Sequence, residues 1–267
     1  MKIFKKIVLR MKKIVLKLNI GLLSFFVLFS CLADKDEILV SYGVIRNVHS
    51  SNDYEILTDK GNTLKVTKSY SNENIEDDKR VLVNFEILSE KESNRHIYEV
   101  SVNGFYNLLS KPVVNESFIL EDEEVRRDSI GNDPFTHIIA AFGGNYINID
   151  FNVLYLNHSH VKHLINLVYD DTRADADIIF LKLYHNAYGE VPGKGYNLHN
   201  GIGRSSFKIS DLLPPGVTSK RVQITWLETD HYTTIEHSWS GTYMLKDSSN
   251  SDFKSQNIGF DSSIEIR

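Results

Sequence analysis

Three histidines, His158, His160 and His163, fall within six positions of one another. In an extended strand residues two apart share a face, so His158 and His160 would present two imidazoles side by side, the start of a tetrahedral zinc grip. A third imidazole at His163 would lie beyond a turn. No cysteine stands nearby, no carboxylate has the spacing to complete the set, and Asn157 and Ser159 give the segment the character of a loop tip. The residues thus carry two readings, a metal-dependent hydrolase built on His158, His160 and His163, or an exposed polar turn. The spacing favours the turn, so neither metal nor other cofactor is expected.

Nucleophilic chemistry has less to work with. No Gly-x-Ser-x-Gly elbow is present, and the remaining Ser and His residues show no spacing that would bring them together. Gly193-Lys194-Gly195 and Gly201-Ile202-Gly203 have the glycine content of phosphate loops, but such loops need a following helix whose N-terminus meets the anion. Pro192 before them and β-formers after them predict loops between strands. No catalytic residue is assigned, and the chain reads as a protein that is not an enzyme.

Aromatic residues offer a different chemistry. Trp226, Trp239, Tyr232 and Tyr243 lie among Glu228, Asp230 and Glu236, a mixture able to stack on sugar rings and bond their hydroxyls. Trp226 shares a strand face with Val222 and Ile224, which places it in a core. Trp239, between Ser238 and Ser240, is expected to be exposed and is the candidate ligand contact.

The single cysteine, Cys31, says where such a protein would work. Basic residues Lys12, Lys13 and Lys17 precede the apolar run Ile20 to Phe29, and small Ser30 stands directly before the cysteine, the order of a secretory signal. Leu28, three residues before Cys31, makes the site resemble the lipobox of bacterial lipoproteins, in which the cysteine is acylated and becomes residue one. The apolar run is short of the ~20 residues that span a bilayer. A start at Met11 would leave a compact signal, whereas Met1 adds a second basic and apolar stretch. Residues 31–36 then form a tether, and Lys35-Asp36-Glu37 resembles the charged signal that sends some lipoproteins to the outer face of the outer membrane. The expected address is an outer-membrane lipoprotein of a Gram-negative envelope, on the cell surface or the periplasmic face.

Charge narrows the partners. The first 30 residues hold seven of the 30 basic residues and no acid, which leaves 23 bases against 35 acids, a net charge of −12. Nucleic-acid binding is driven by basic residues displacing counterions, so an acidic body argues against it. The membrane, through the anchor, and an envelope protein or polysaccharide remain.

The elements that must position these residues are strands. Val40, Tyr42 and Val44 alternate with polar neighbours, and Tyr54–Thr58 and Thr63–Val66 flank Asp59-Lys60-Gly61-Asn62, whose Gly and Asx residues supply the positive φ of a tight hairpin. Val81 to Leu88 and Ile97 to Leu109 follow. Five strands over residues 37–112, with a polar loop from Lys68 to Lys79, predict a small OB-like barrel. Pro112 and its neighbours, Lys111 to Asn115, predict a linker open to proteases. Glu121 to Asp128 reads as charged and irregular. Beyond it, seven runs, His137–Phe142, Tyr146–Leu156, His163–Val168, Ile178–Tyr184, Ser206–Ile209, Val222–Leu227 and Thr234–Leu245, predict an immunoglobulin-like β-sandwich over residues 117–267.

Several stretches, taken in order, resemble the NigD-like lipoproteins. They are Cys31, the hairpin around Asp59-Lys60-Gly61-Asn62, Arg80-Val81-Leu82-Val83-Asn84-Phe85, Asp128-Ser129-Ile130-Gly131-Asn132-Asp133-Pro134, Tyr146-Ile147-Asn148-Ile149, His163-Leu164-Ile165-Asn166-Leu167-Val168, and Leu183-Tyr184-His185-Asn186-Ala187-Tyr188-Gly189-Glu190. The resemblance implies an OB-like domain followed by a β-sandwich and assigns no catalytic or ligand-binding residue. The resulting expectation is an all-β, non-enzymatic envelope lipoprotein serving as a binding or assembly module. A surface glycan-binding accessory protein is its alternative within the binding class.

Overall fold

The structure is a computed structural model that describes residues 38–245 apart from 72, 91–95, 157–160, 174, 176, 191–197 and 231–232. Five strands, β1 (Leu39–Ser50), β2 (Asp53–Thr58), β3 (Thr63–Ser69), β4 (Arg80–Glu90) and β5 (Ile97–Asn107), close into a barrel in the order β1-β2-β3-β5-β4. The closure uses an antiparallel β1·β4 seam and a parallel β3·β5 pair, so no strand of the barrel is left with an open edge. Alternation drives it. Ile45, Ile56, Leu64, Val81, Val83, Phe85, Val100 and Val102 all point inward and are sealed from solvent. The β2–β3 turn lies at Asp59–Asn62 as the sequence predicts, with Gly61 at φ +86°. The described residues of Tyr70–Lys79 form a loop without helix or strand.

The sandwich begins earlier than the alternation implies. Residues Leu109–Pro112 (β6) pair in parallel with Ser205–Lys208, and Val114–Asn115 (β7) pair in parallel with Val168–Tyr169. The segment expected to be a linker thus crosses from one sheet to the other at Val113. Lys111 reinforces this crossing. Its Nζ donates to the Ile165 carbonyl at 2.9 Å and to Asn166 Oδ1 at 2.6 Å.

Two short helices follow, α1 (Glu116–Leu120) and α2 (Glu123–Ile130), where the sequence reading expected an irregular charged stretch. The physical reason is electrostatic and local. Glu123 and Glu124 occupy the first turn of α2 and Arg127 the last, which suits the helix dipole. Buried Ile119 and Ile130 then dock the pair on Val168 and Tyr184.

The remaining strands are β8 (His137–Gly143), β9 (Tyr146–Leu156), β10 (Leu164–Tyr169), β11 (Ile178–Asn186), β12 (Leu198–Lys208), β13 (Ser219–Thr229) and β14 (Thr234–Met244). They form one sheet ordered β14-β13-β11-β10-β7 and a second ordered β6-β12-β9-β8. Ile147, Ile149, Phe151 and Val153 of β9 face Leu181, Leu183, Val222 and Ile224 in one core. Strand β12 starts well before the expected Ser206, so Gly201-Ile202-Gly203 is strand paired to Phe151–Val153 and not a loop. Both glycines sit opposite a partner backbone, which leaves no cradle for an anion. No helix among the described residues is long and apolar enough to cross a membrane.

Candidate functional site

Helix α2 ends with carbonyls that have no partner within the helix. Asn186, the last residue of β11, supplies the missing donor: its Nδ2 bonds the carbonyls of Asp128 and Ser129, each at 3.0 Å. The chain then turns back at Gly131, with φ +72°. A Cβ there would lie 2.6 Å from Asn186 Cβ and 2.8 Å from the His185 carbonyl, so only glycine allows so close an approach. Asp133 completes the clasp. Its N–H donates to the His185 carbonyl at 2.7 Å, and its Oδ2 accepts from Ala187 N at 2.7 Å.

These bonds hold the Asp128–Asp133 segment, the end of α2 and the turn after it, against the Tyr184–Gly189 segment and leave between them an open cleft of about 900 Å³. One wall carries Arg127, Asp128, Ser129, Asn132 and Asp133, the other Tyr184, Asn186, Tyr188 and Gly189. The guanidinium of Arg127 is committed to structure. It pairs with Glu116, lies 3.7 Å from Glu123 Oε1, and donates to the Tyr184 hydroxyl at 3.0 Å.

The rim of the second wall is backbone-strained. Residues Ala187–Glu190 form a turn closed by Glu190 N to the Ala187 carbonyl at 3.1 Å, with positive φ at both central residues, +49° at Tyr188 and +90° at Gly189. Asn, Asp or Gly normally fill the first of these positions. A tyrosine there costs about 1–2 kcal/mol in backbone sterics. The Asn186 Oδ1 bond from Tyr188 N, 2.8 Å, holds the conformation, and the ring projects into solvent, 56% exposed.

Behind the cleft lies a buried polar chain. Glu190 Oε2 accepts from Leu156 N at 3.0 Å and stands 3.4 Å from His163 Nε2, while His163 Nδ1 meets His185 Nε2 at 2.9 Å. All three side chains are buried. Burial first, and then the neighbouring His163, push the His185 pKa down from 6.5 to about 3. Its Nδ1 lies near the backbone of Asp133 and Pro134 without reaching good hydrogen-bond geometry.

The sequence-predicted residues are dispersed. Cys31, His158 and His160 lie outside the described residues, as do Tyr232 and Gly193-Lys194-Gly195. His163 is sealed in the chain just described and offers no open coordination position to solvent. Among the described residues no three His, Cys, Asp or Glu side chains converge as a metal site would require. Trp226 is in the core as expected, its indole N–H bonded to Glu228 Oε2 at 2.9 Å. Trp239 points to the core side of β14, half-buried, with its ring 5.2 Å from that of Phe142. Asn186, Tyr188 and Asp133 were not singled out by sequence reasoning. Their signal was the density of turn formers in Asp128–Pro134 and, around an aromatic residue, in Asn186–Gly189.

Family models match both halves of the chain: a NigD-like N-terminal OB domain over residues 42–107 and a NigD-like C-terminal beta sandwich domain over residues 117–238. Among solved structures, a protein of unknown function from Bacteroides vulgatus is 17% identical with a TM-score of 0.57, covering 81% of this chain and 96% of its own. A NigD-like immunity protein from Bacteroides caccae is 19% identical with a TM-score of 0.56 over 76% and 92% of the two chains. A candidate lipoprotein from Bacteroides fragilis is 13% identical with a TM-score of 0.52 over 78% and 98%. At these identities the likeness is one of fold. No curated protein matches the sequence. Barrel and sandwich, each matched by its own model and in the same order, show that the chain belongs to the NigD-like family.

Proposed function

We propose that this protein is a non-enzymatic binding module of the cell envelope, held to a membrane by lipid on Cys31 and docking its ligand in the cleft between Asp128–Asp133 and Tyr184–Gly189. The observation that carries the reading is Tyr188, an exposed aromatic ring kept at a strained backbone position on the rim of a preformed polar cleft. Strain of this kind persists where the surrounding bonds over-determine it, and it clusters at ligand-binding sites. Two of the stretches by which the sequence resembles its family meet at this cleft.

A binding role fits better than hydrolysis because His163, the one described member of the histidine cluster, and its neighbour His185 are spent inside the fold. His163 and His185 are buried against each other and Glu190, out of reach of any substrate. The envelope address rests on the signal-like segment before Cys31 and is supported by the likeness in fold to a candidate lipoprotein. Trp239 stays in the reading as a secondary contact at the β8–β14 side of the sandwich.

Two measurements test the proposal. Cells fed a clickable fatty acid should label the wild-type chain and leave Cys31→Ala unlabelled; equal labelling of both removes the anchor. With a photo-crosslinking residue at Asn132 in the anchored protein, irradiation of intact cells should give an adduct absent when the same residue is placed at Glu86 on the barrel. Identical adducts from both positions would remove the cleft from the proposal.

A further inference from the structure

The walls of the cleft have an unusual composition. Among the described residues Arg, Asp, Ser, Asn, Tyr and Gly line it, and no aliphatic side chain does. Lipids, and peptides that anchor by Leu or Ile, need apolar pockets that this surface lacks. Its charge is equally selective. Asp128 and Asp133 face the opening, while the cation beside them, Arg127, is already neutralised by Glu116. An anionic ligand would therefore meet two carboxylates and a guanidinium with little to spare for it.

What the cleft does offer is a flat ring and short polar groups. The Tyr188 ring stands on a turn fixed at three points, by Asn186 Oδ1, by the Ala187–Glu190 bond and by the Asp133 carboxylate on Ala187 N. A turn whose backbone is fixed before binding loses little further entropy when its ring stacks. Ser129 and Asn132 are exposed, and the second oxygen of Asp133 has lone pairs beyond its bond to Ala187 N. Hydroxyl groups need such a mixture of donors and acceptors, and the apolar face of a pyranose needs such a ring.

From this we infer that the cleft binds a neutral oligosaccharide, with one sugar ring lying on Tyr188 and its hydroxyls bonded by Ser129, Asn132 and Asp133. This inference rests on the reading of the cleft as the binding site and names what fills it. It also accounts for the strain: tyrosine occupies a turn position suited to glycine because the ring is needed there.

The full chain should be presented to an array of neutral and acidic oligosaccharides, with hits measured by titration calorimetry. At least one neutral oligosaccharide should bind. Tyr188→Ala should weaken it by at least about tenfold, in line with the ~1–3 kcal/mol that stacking on an aromatic ring contributes where it has been measured on bases. Tyr188→Phe, which keeps the ring, should stay within about threefold, a small change on the scale where tenfold is ~1.4 kcal/mol. Tyr188→Gly should lose the sugar as completely as Tyr188→Ala while melting no lower than wild type, since glycine relieves the positive φ. A Tyr188→Gly protein melting several degrees lower would make the ring a structural residue and overturn the inference. So would an array on which only acidic sugars bind, or none. Failure of the sugar and failure of the site can be told apart by NMR of the Tyr188 ring. If no sugar binds but decalysine shifts those resonances, the ligand class is wrong and the cleft stands; if a sugar binds and they do not move, the cleft itself is wrong.

Discussion

The guanidinium of Arg80 meets the carboxylate of Asp59 end-on, with Nη1 to Oδ1 and Nη2 to Oδ2 both at 2.5 Å, at the seam between barrel and sandwich. Both residues belong to the barrel, yet their remaining bonds reach across. Arg80 Nη2 donates to Asn148 Oδ1 at 2.9 Å, Arg80 Nε to Ser206 Oγ at 3.3 Å, and Asn148 Nδ2 to Asp59 Oδ2 at 2.8 Å. The Arg80 ion also lies over the Tyr146 ring, 4.3 Å from its centroid. Beside this pair, the Tyr42 hydroxyl of the barrel bonds Asp150 of the sandwich at 2.9 Å, and burial followed by that carboxylate raises the Tyr42 pKa.

Asp59→Ala should therefore destabilise the protein by about 3–5 kcal/mol, because it strands a buried guanidinium. The pair Asp59→Asn with Arg80→Met should cost less than Asp59→Ala alone, since no charge is then left unpaired. Both tryptophans of the chain, Trp226 and Trp239, are in the sandwich, so urea unfolding followed by tryptophan fluorescence reads a barrel substitution from the other unit. An unmoved fluorescence midpoint in Asp59→Ala would mean that the seam does not couple the two.

Acid should weaken the fold through His185. Its pKa is 6.5 when unfolded and about 3 when folded. Between these values the unfolded chain binds the proton and the folded chain does not, so stability is full above pH 6.5 and falls as pH drops toward 3. The slope from this one group approaches about 1.4 kcal/mol per pH unit. Urea midpoints between pH 7 and pH 4 should decline less steeply for His185→Gln than for wild type. Parallel declines would place the acid sensitivity elsewhere.

Limited proteolysis should spare residues 109–115. Although Pro112 gives this stretch the look of a linker, β6 and β7 are each paired to a sheet and Lys111 is bonded to the backbone of β10. Mass spectrometry of early fragments should show cuts in exposed loops, such as the described residues of Tyr70–Lys79, before any cut between Leu109 and Asn115. Early scission at Lys111 would show that the paired strands open readily.

The barrel was largely legible in the sequence because its strands alternate strictly around an apolar interior and its first hairpin carries the turn residues that geometry demands. Most sandwich strands were legible for the same reason. The two helices were not: at five and eight residues they are too short to display a helical period, and they exist because Ile119 and Ile130 find Val168 and Tyr184 across the fold. Crossover strands β6 and β7 were not legible because parallel pairing with distant partners leaves no local mark. The cleft was visible only as two turn-rich stretches more than 50 positions apart, and nothing in either says that Asn186 will cap the helix ending at Ile130. The spacing of His163 with His158 and His160 is local and visible, whereas its contact with His185 depends on the register of β10 against β11.

The parallel pairing of β6 with β12 also sets an order of events in time. Leu109 waits for Ser205, and Arg80 waits for Ser206, partners separated from them by roughly a hundred residues, the kind of contact that slows folding. A chain emerging N-terminus first can finish its barrel while the sandwich still lacks the strand that locks both. Until β12 arrives, β6 is an unpaired edge and the Arg80–Asp59 pair lacks its Ser206 contact, and in that interval the protein is most open to capture by a chaperone or by another copy of itself.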